Sequence, residues 1–261
     1  MMQRTVGPAE APPTPIVRRL IETMLGDGPI DMSVFAALAD PDAVEARAKA
    51  DAEQKALDWP NLGRYEAANA ALIAAGTRPD VVFLGDSITE AWPLAQPDLF
   101  DERHVCRGIS GQTSPQMLVR FYADVVALQP KAVHLLCGTN DIAGNTGPTT
   151  PARYQGCVLA MTELAAAHGI RVIAGAVPPA GQMRWRPGFD PKPWVRELNV
   201  WLRSLAAERG FAFADYHAAL RDEADAMRAD FSHDGVHPTR RGYVAMREVL
   251  TPLLQGVEDH G

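Results

Sequence analysis

A three-layer α/β/α sandwich is the fold the amino-acid sequence predicts, built on a parallel sheet of about five strands in a flavodoxin-like order. Three observations lead there. From Asp80 onward, short apolar runs bounded by Gly or Pro recur along the chain. Stretches of ten to fifteen residues with apolar side chains at helical spacing separate these runs. That alternation calls for parallel strands joined by helical crossovers that cover both sheet faces. Polar and Gly-containing loops also follow several of the runs, at the strand ends where open parallel sheets bind their ligands.

The first strand is Asp80-Val-Val-Phe-Leu-Gly-Asp-Ser87, where four consecutive apolar residues stop at Gly85. Such a run suits a strand buried on both faces. His104 to Arg107 reads as a second strand, Lys131 to Cys137 as a third, Ile170 to Val177 as a fourth and Phe211 to Ala214 as a fifth. Helices are expected between them. Ser114 to Leu128 carries the stripe Met117, Leu118, Phe121 and Val125. Ala152 to His168 ends at Gly169, and Val195 to Glu208 carries Leu198, Trp201, Leu202 and Leu205. Arg241 to Leu254 supplies a last helix. The segment between Ser87 and the second strand, which contains Trp92, shows mixed patterning.

Upstream of residue 59 the chain is different in character. Residues 1 to about 15 are Pro-rich with few large apolar side chains and read as a poorly ordered arm. Ile16, Leu20, Ile21 and Met24 recur at helical spacing before Gly26, and Asp40 to Ala56 is a charged stretch suited to a solvated helix. The division expected is therefore an arm with helices over 1–58 and one α/β domain over 59–261.

Of the 261 residues, 47% are hydrophobic and 22% charged, with a formal net charge of -7. That balance argues against a dedicated nucleic-acid binder, which needs clustered Lys and Arg. Cys106, Cys137 and Cys157 form no C-x-x-C pair and no disulfide framework. No apolar window is long enough to span a bilayer, and the apolar stretch nearest the start, Met32 to Ala39, is short and flanked by acids. The expected compartment is the cytoplasm.

Ser87, immediately after the first strand, is the candidate nucleophile. A serine needs a base within hydrogen-bond reach, a group to hold that base, and donors for the developing oxyanion. Ser232-His-Asp-Gly-Val-His-Pro238 supplies the first two: Asp234 can fold back to His237 through a tight turn at Gly235. His233 and His237 are also four apart, a metal-ligand spacing on a helix. Gly235 and Pro238 oppose a helix there, and no other ligand cluster completes a site, so no metal is expected. Two sources of oxyanion donors stand open, the Gly-containing loop Gly108 to Ser114 and the side-chain amide of Asn140 in Gly-Thr-Asn-Asp.

These four blocks, Gly85-Asp86-Ser87, the loop with Gly111, Asn140 in Gly-Thr-Asn-Asp, and Asp-Gly-Val-His237-Pro, resemble in order those of the SGNH (GDSL) hydrolase family. The resemblance spans roughly residues 59 to 254. It implies attack by Ser87 on an ester carbonyl, His237 as base and Asp234 as its orienting group, with no metal and no organic cofactor. It also implies an oxyanion hole made by the backbone N–H groups of Ser87 and Gly111 and the Asn140 amide. Ile88 stands where the family usually has leucine. The expected substrate is a small-molecule ester with a short acyl group, acetyl first. A lysophospholipase or acyl thioesterase is the alternative, followed by a non-catalytic acyl-sugar binding module. The acyl pocket is expected to be bounded by Ile88, Trp92, Ile142 and Trp185, with Arg184 and Arg186 as candidate contacts for an anionic leaving group. A phosphate site at Gly108 to Gly111 lacks the lysine of a P-loop.

Overall fold

Residues 15–183 and 185–258 are described by the structure, a computed structural model of the chain; the expected N-terminal arm and Arg184 lie outside the described residues. Three helices come first: α1 (Pro15–Leu25), α2 (Met32–Leu38) and α3 (Pro41–Leu57). Then α4 (Glu66–Ala74) leads into β1 (Val81–Gly85), α5 (Ser87–Ala95), β2 (His104–Gly108), α6 (Ser114–Asp124) and β3 (Ala132–Leu136). Short α7 (Thr139–Ala143) and long α8 (Pro151–Ala167) precede β4 (Arg171–Gly175). Last come α9 (Lys192–Arg209), β5 (Ala212–Ala214), α10 (Tyr216–Leu220) and α11 (Arg240–Glu258).

All five strands are parallel, in the order β2-β1-β3-β4-β5. This is the flavodoxin-like arrangement expected from the alternation of elements. The alternating side chains of each strand divide into two cores. Val82, Leu84, Val133, Leu135 and Val172 point to the layer of α6, α8 and α9. Val81, Phe83, Ala132, Leu136 and Ile173 point to α5, α10 and α11, where Leu25 of α1 joins them. Burial on both faces explains why the strands read as unbroken apolar runs.

Register places the strand ends side by side. Gly85 pairs with Gly108 on one flank and with Leu136 on the other, so the chain leaves β1, β2 and β3 along one edge of the sheet. The β1 exit turns directly into α5, a helix that the mixed patterning of 87–95 conceals. Pro93 lies inside it and has no N–H to offer the Thr89 carbonyl one turn back. The Cys106 thiol donates to that carbonyl instead, at 3.3 Å. Residues 62–74 form a 3-10 turn followed by α4.

Candidate active site

Ser87 is the first residue of α5. Asp86 caps that helix, its Oδ1 accepting the Ile88 N–H at 3.0 Å. Ser87 therefore sits among the first N–H groups of a helix, which have no acceptor within the helix itself. Its hydroxyl lies 3.0 Å from Nε2 of His237, and Nδ1 of His237 lies 2.7 Å from Asp234 Oδ2.

The loop that carries the last two is tightly closed. Ser232 and Pro238 form a bridge across its neck, and the Thr239 N–H donates to the Phe231 carbonyl at 2.7 Å. Inside it, Asp234 Oδ1 accepts the N–H groups of Val236 and His237 at 2.9 and 2.8 Å, which leaves Oδ2 for the imidazole. Gly235 makes the turn at φ +81°, where a side chain would be strained. Burial pushes the Asp234 carboxyl up, but the hydrogen bond and charge of His237 outweigh it and hold the group well below the usual carboxylate range. His237 answers in the opposite sense. Burial lowers its pKa, the bond and charge of Asp234 raise it, and the balance is upward.

The loop after β2 is pinned from several sides. Ile109 donates to the Gly85 carbonyl at 3.0 Å, and Glu90 of α5 accepts the Ser110 N–H at 2.8 Å and its hydroxyl. Arg64 bonds the other Glu90 oxygen at 2.9 Å. Gly111 has φ +77° and borders the cavity over Ser87. Asn140, in α7, is buried below it. Its amide nitrogen lies 3.1 Å from the Gln112 carbonyl and 3.2 Å from Asp86 Oδ2, and its Oδ1 accepts from Asn145 at 2.7 Å. Burial raises the Asp86 pKa to about 6, chiefly through desolvation.

The expected pocket residues part company. Trp92 is 0% exposed, with its indole N–H on Gln96 Oε1 at 3.1 Å and rings of Phe83, Phe100, His134, Tyr216 and Tyr243 around it. It is core, because α5 turns that face toward the sheet. Ile88 and Ile142 are corrected in the same way: both side chains are buried in the two cores rather than on the cavity wall. Trp185 does border the cavity, 45% exposed with its ring centroid 6.4 Å from that of His237. Arg186 is tied to the Ile142 carbonyl at 2.8 Å and stacks on Phe189, so it acts as a brace for its own loop. His233 bonds the Gly26 carbonyl at 2.6 Å. Among the described residues no group of three or more His, Cys, Asp or Glu side chains could hold a metal.

Sequence reasoning missed four contributors. Asp86 carried the only clear signal, an aspartate between the end of the first strand and Ser87. The Ser87-x-x-Glu90 spacing imitates a capping box, yet Glu90 reaches the next loop instead. Asn145 gave no sign, nor did Arg120, whose guanidinium reaches back to the Gly85 carbonyl at 3.0 Å.

The chain matches the GDSL-like lipase/acylhydrolase family over residues 83–245. It belongs to that family. Among solved structures it is similar to a GDSL-like lipase from Bacteroides thetaiotaomicron, with 36% identity and a TM-score of 0.71 over 76% of this chain and 99% of that one. A protein of Bacteroides fragilis assigned as an acylhydrolase is 39% identical, with the same TM-score, over 76% and 98%. An acetylxylan esterase from Geobacillus stearothermophilus matches at 18% identity and TM-score 0.55, over 67% and 93%, a likeness of fold. Among curated proteins none matches the chain. As a family member the chain is a carboxylic ester hydrolase. No helix among the described residues is long and apolar enough to cross a membrane.

Proposed function

We propose that the hydrolase works through Ser87, His237 and Asp234 by way of an acyl-enzyme. One observation carries the reading. A continuous chain of short contacts runs from the Ser87 hydroxyl through both nitrogens of His237 to Asp234, and it opens on a cavity. Ser87 Oγ attacks the ester carbonyl while His237 Nε2 takes its proton. His237, now cationic beside Asp234, hands that proton to the departing alkoxide, so the C–O bond breaks and the alcohol leaves. Water then repeats the sequence on the acyl-enzyme and releases the acid.

Negative charge on the carbonyl oxygen is met by the N–H groups of Ser87 and Gly111, aided by the dipole of α5. The Asn140 amide is the third donor in this reading, and it turns from the Gln112 carbonyl toward the oxyanion as charge develops. The Ser87→Ala variant tests the assignment. Hydrolysis of p-nitrophenyl acetate should fall by at least roughly 10⁴-fold with the melting temperature kept. A fluorophosphonate should label the native protein and not the variant. Undiminished turnover in Ser87→Ala would overturn it.

The sequence suggested a short acyl group, acetyl first, and such esters fit a site of this kind. A reading with a longer apolar chain is favoured by a specific observation, the size and lining of the cavity.

A further inference from the structure

The cavity over Ser87 and His237 has a volume of about 1170 Å³. That is above the roughly 300–1,000 Å³ of small-molecule sites and far exceeds the need of an acetyl group. Much of its wall comes from outside the family-matched region. Val17, Leu20, Ile21 and Met24 of α1, Ile30 after it and Phe35 of α2 all border the same space as the triad residues.

The segment is held in place as part of the molecule. Leu25 at the end of α1 is 3% exposed within the core beneath α5 and α11, with Ile21 packed against it. The Gly26 carbonyl is bonded by His233, the residue before Asp234. Arg19 bridges to Asp31 at 2.7 Å and joins α1 to the start of α2, whose Val34 is fully buried. Ile21 packs against the core, whereas Val17 and Leu20 line the cavity and leave part of an apolar face open to it. A substrate chain would cover it.

On these grounds we infer that α1 and α2 form the substrate-selecting wall of this enzyme, and that its substrates are esters with an extended apolar chain on one side of the scissile bond. The inference rests on the reading of Ser87 as nucleophile. Val17 and Leu20 are specificity residues: each methylene laid against them leaves water, while the scissile carbonyl remains at Ser87.

The test uses the full chain and two ester series, p-nitrophenyl esters from acetate to octanoate and acetates of alcohols from ethanol to octanol. In at least one series kcat/KM should climb with each methylene by up to about fourfold, the equivalent of ~0.8 kcal/mol per buried CH₂. Leu20→Gln and Val17→Gln should each lower the octyl-to-shortest ratio about tenfold. Leu20→Phe, which fills the wall without polarising it, should shift the preferred length downward. A flat or falling profile in both series overturns the inference, as does an unchanged ratio in folded variants. Ester hydrolysis that survives Ser87→Ala would instead overturn the nucleophile reading, and the chain-length ratio does not depend on that result.

Discussion

At the residue scale the site depends on two half-buried groups whose charges sustain each other. Desolvation disfavours both the His237 imidazolium and the Asp234 carboxylate, and the 2.7 Å bond between them outweighs it. Only neutral His237 can take the Ser87 proton. Its pKa in the free enzyme lies above the ordinary 6.5, so kcat/KM should fall on acidification with a midpoint above that value. Asp234→Asn removes the hydrogen-bonded anion that raises it. The midpoint should then move down in pH, and kcat should drop by about 10³ to 10⁴-fold because the tautomer is no longer held. A pH–rate profile of the two proteins decides this; coincident midpoints would count against the pairing.

At the element scale, α5 is pressed against the ends of β1 and β2 by the lack of side chains there. A Cβ on Gly85 would stand 2.0 Å from Thr89 Oγ1, and one on Gly108 only 2.2 Å from the Glu90 backbone nitrogen. Backbone cannot swing aside as a side chain can. Gly108→Ala should therefore push α5 off β2 and displace Ser87 at its first turn. The expected cost is about 1–3 kcal/mol of stability together with a fall in kcat. Gly156 offers the contrast, exposed in α8 with nothing within 4 Å of its added Cβ. Gly156→Ala should stabilise by about 0.5–1 kcal/mol and leave kcat unchanged. Thermal melts and steady-state rates on both variants measure the difference.

At the scale of the whole molecule, a buried polar network ties the layers together behind the site. Arg120 is 0% exposed and bonds Asp124 at 2.9 Å, the Gly85 carbonyl at 3.0 Å and Gln112 at 2.6 Å. Asn69 of α4 reaches Asp124 at 2.7 Å and accepts from Arg107 of β2 at 2.8 Å. One guanidinium thus joins α6 to the end of β1 and to the loop carrying Gly111. Arg120→Met leaves Asp124 buried without its principal cation, which should cost about 3–5 kcal/mol in urea unfolding. The double variant Arg120→Met with Asp124→Leu should recover part of that loss. If the single variant melts like the native protein, the network does not support the fold in this way.

The strands were legible in the sequence because the central ones are buried on both faces, whereas their order followed only from the fold class. An unbroken run such as Val81 to Leu84 has little other use in a chain of this composition. The loop that folds Asp234 back to His237 was legible because the two are three residues apart with Gly235 between them, and local chemistry alone dictates the turn. What only the tertiary structure decided depends on residues far apart in the chain. Trp92 is core because α5 turns it onto Phe83 and Tyr243, whereas periodicity broken by Pro93 showed neither the helix nor its buried face. Asn140 meets the Gln112 carbonyl only once α7 folds under the β2 loop. Most of all, the stripe of Leu20, Ile21 and Met24 announced an amphipathic helix, and the face it covers was decided by where β1 and the His237 loop leave the sheet. Patterning along a chain determines which side of an element avoids water. Packing between distant elements determines what that side meets, and here it meets the space above Ser87.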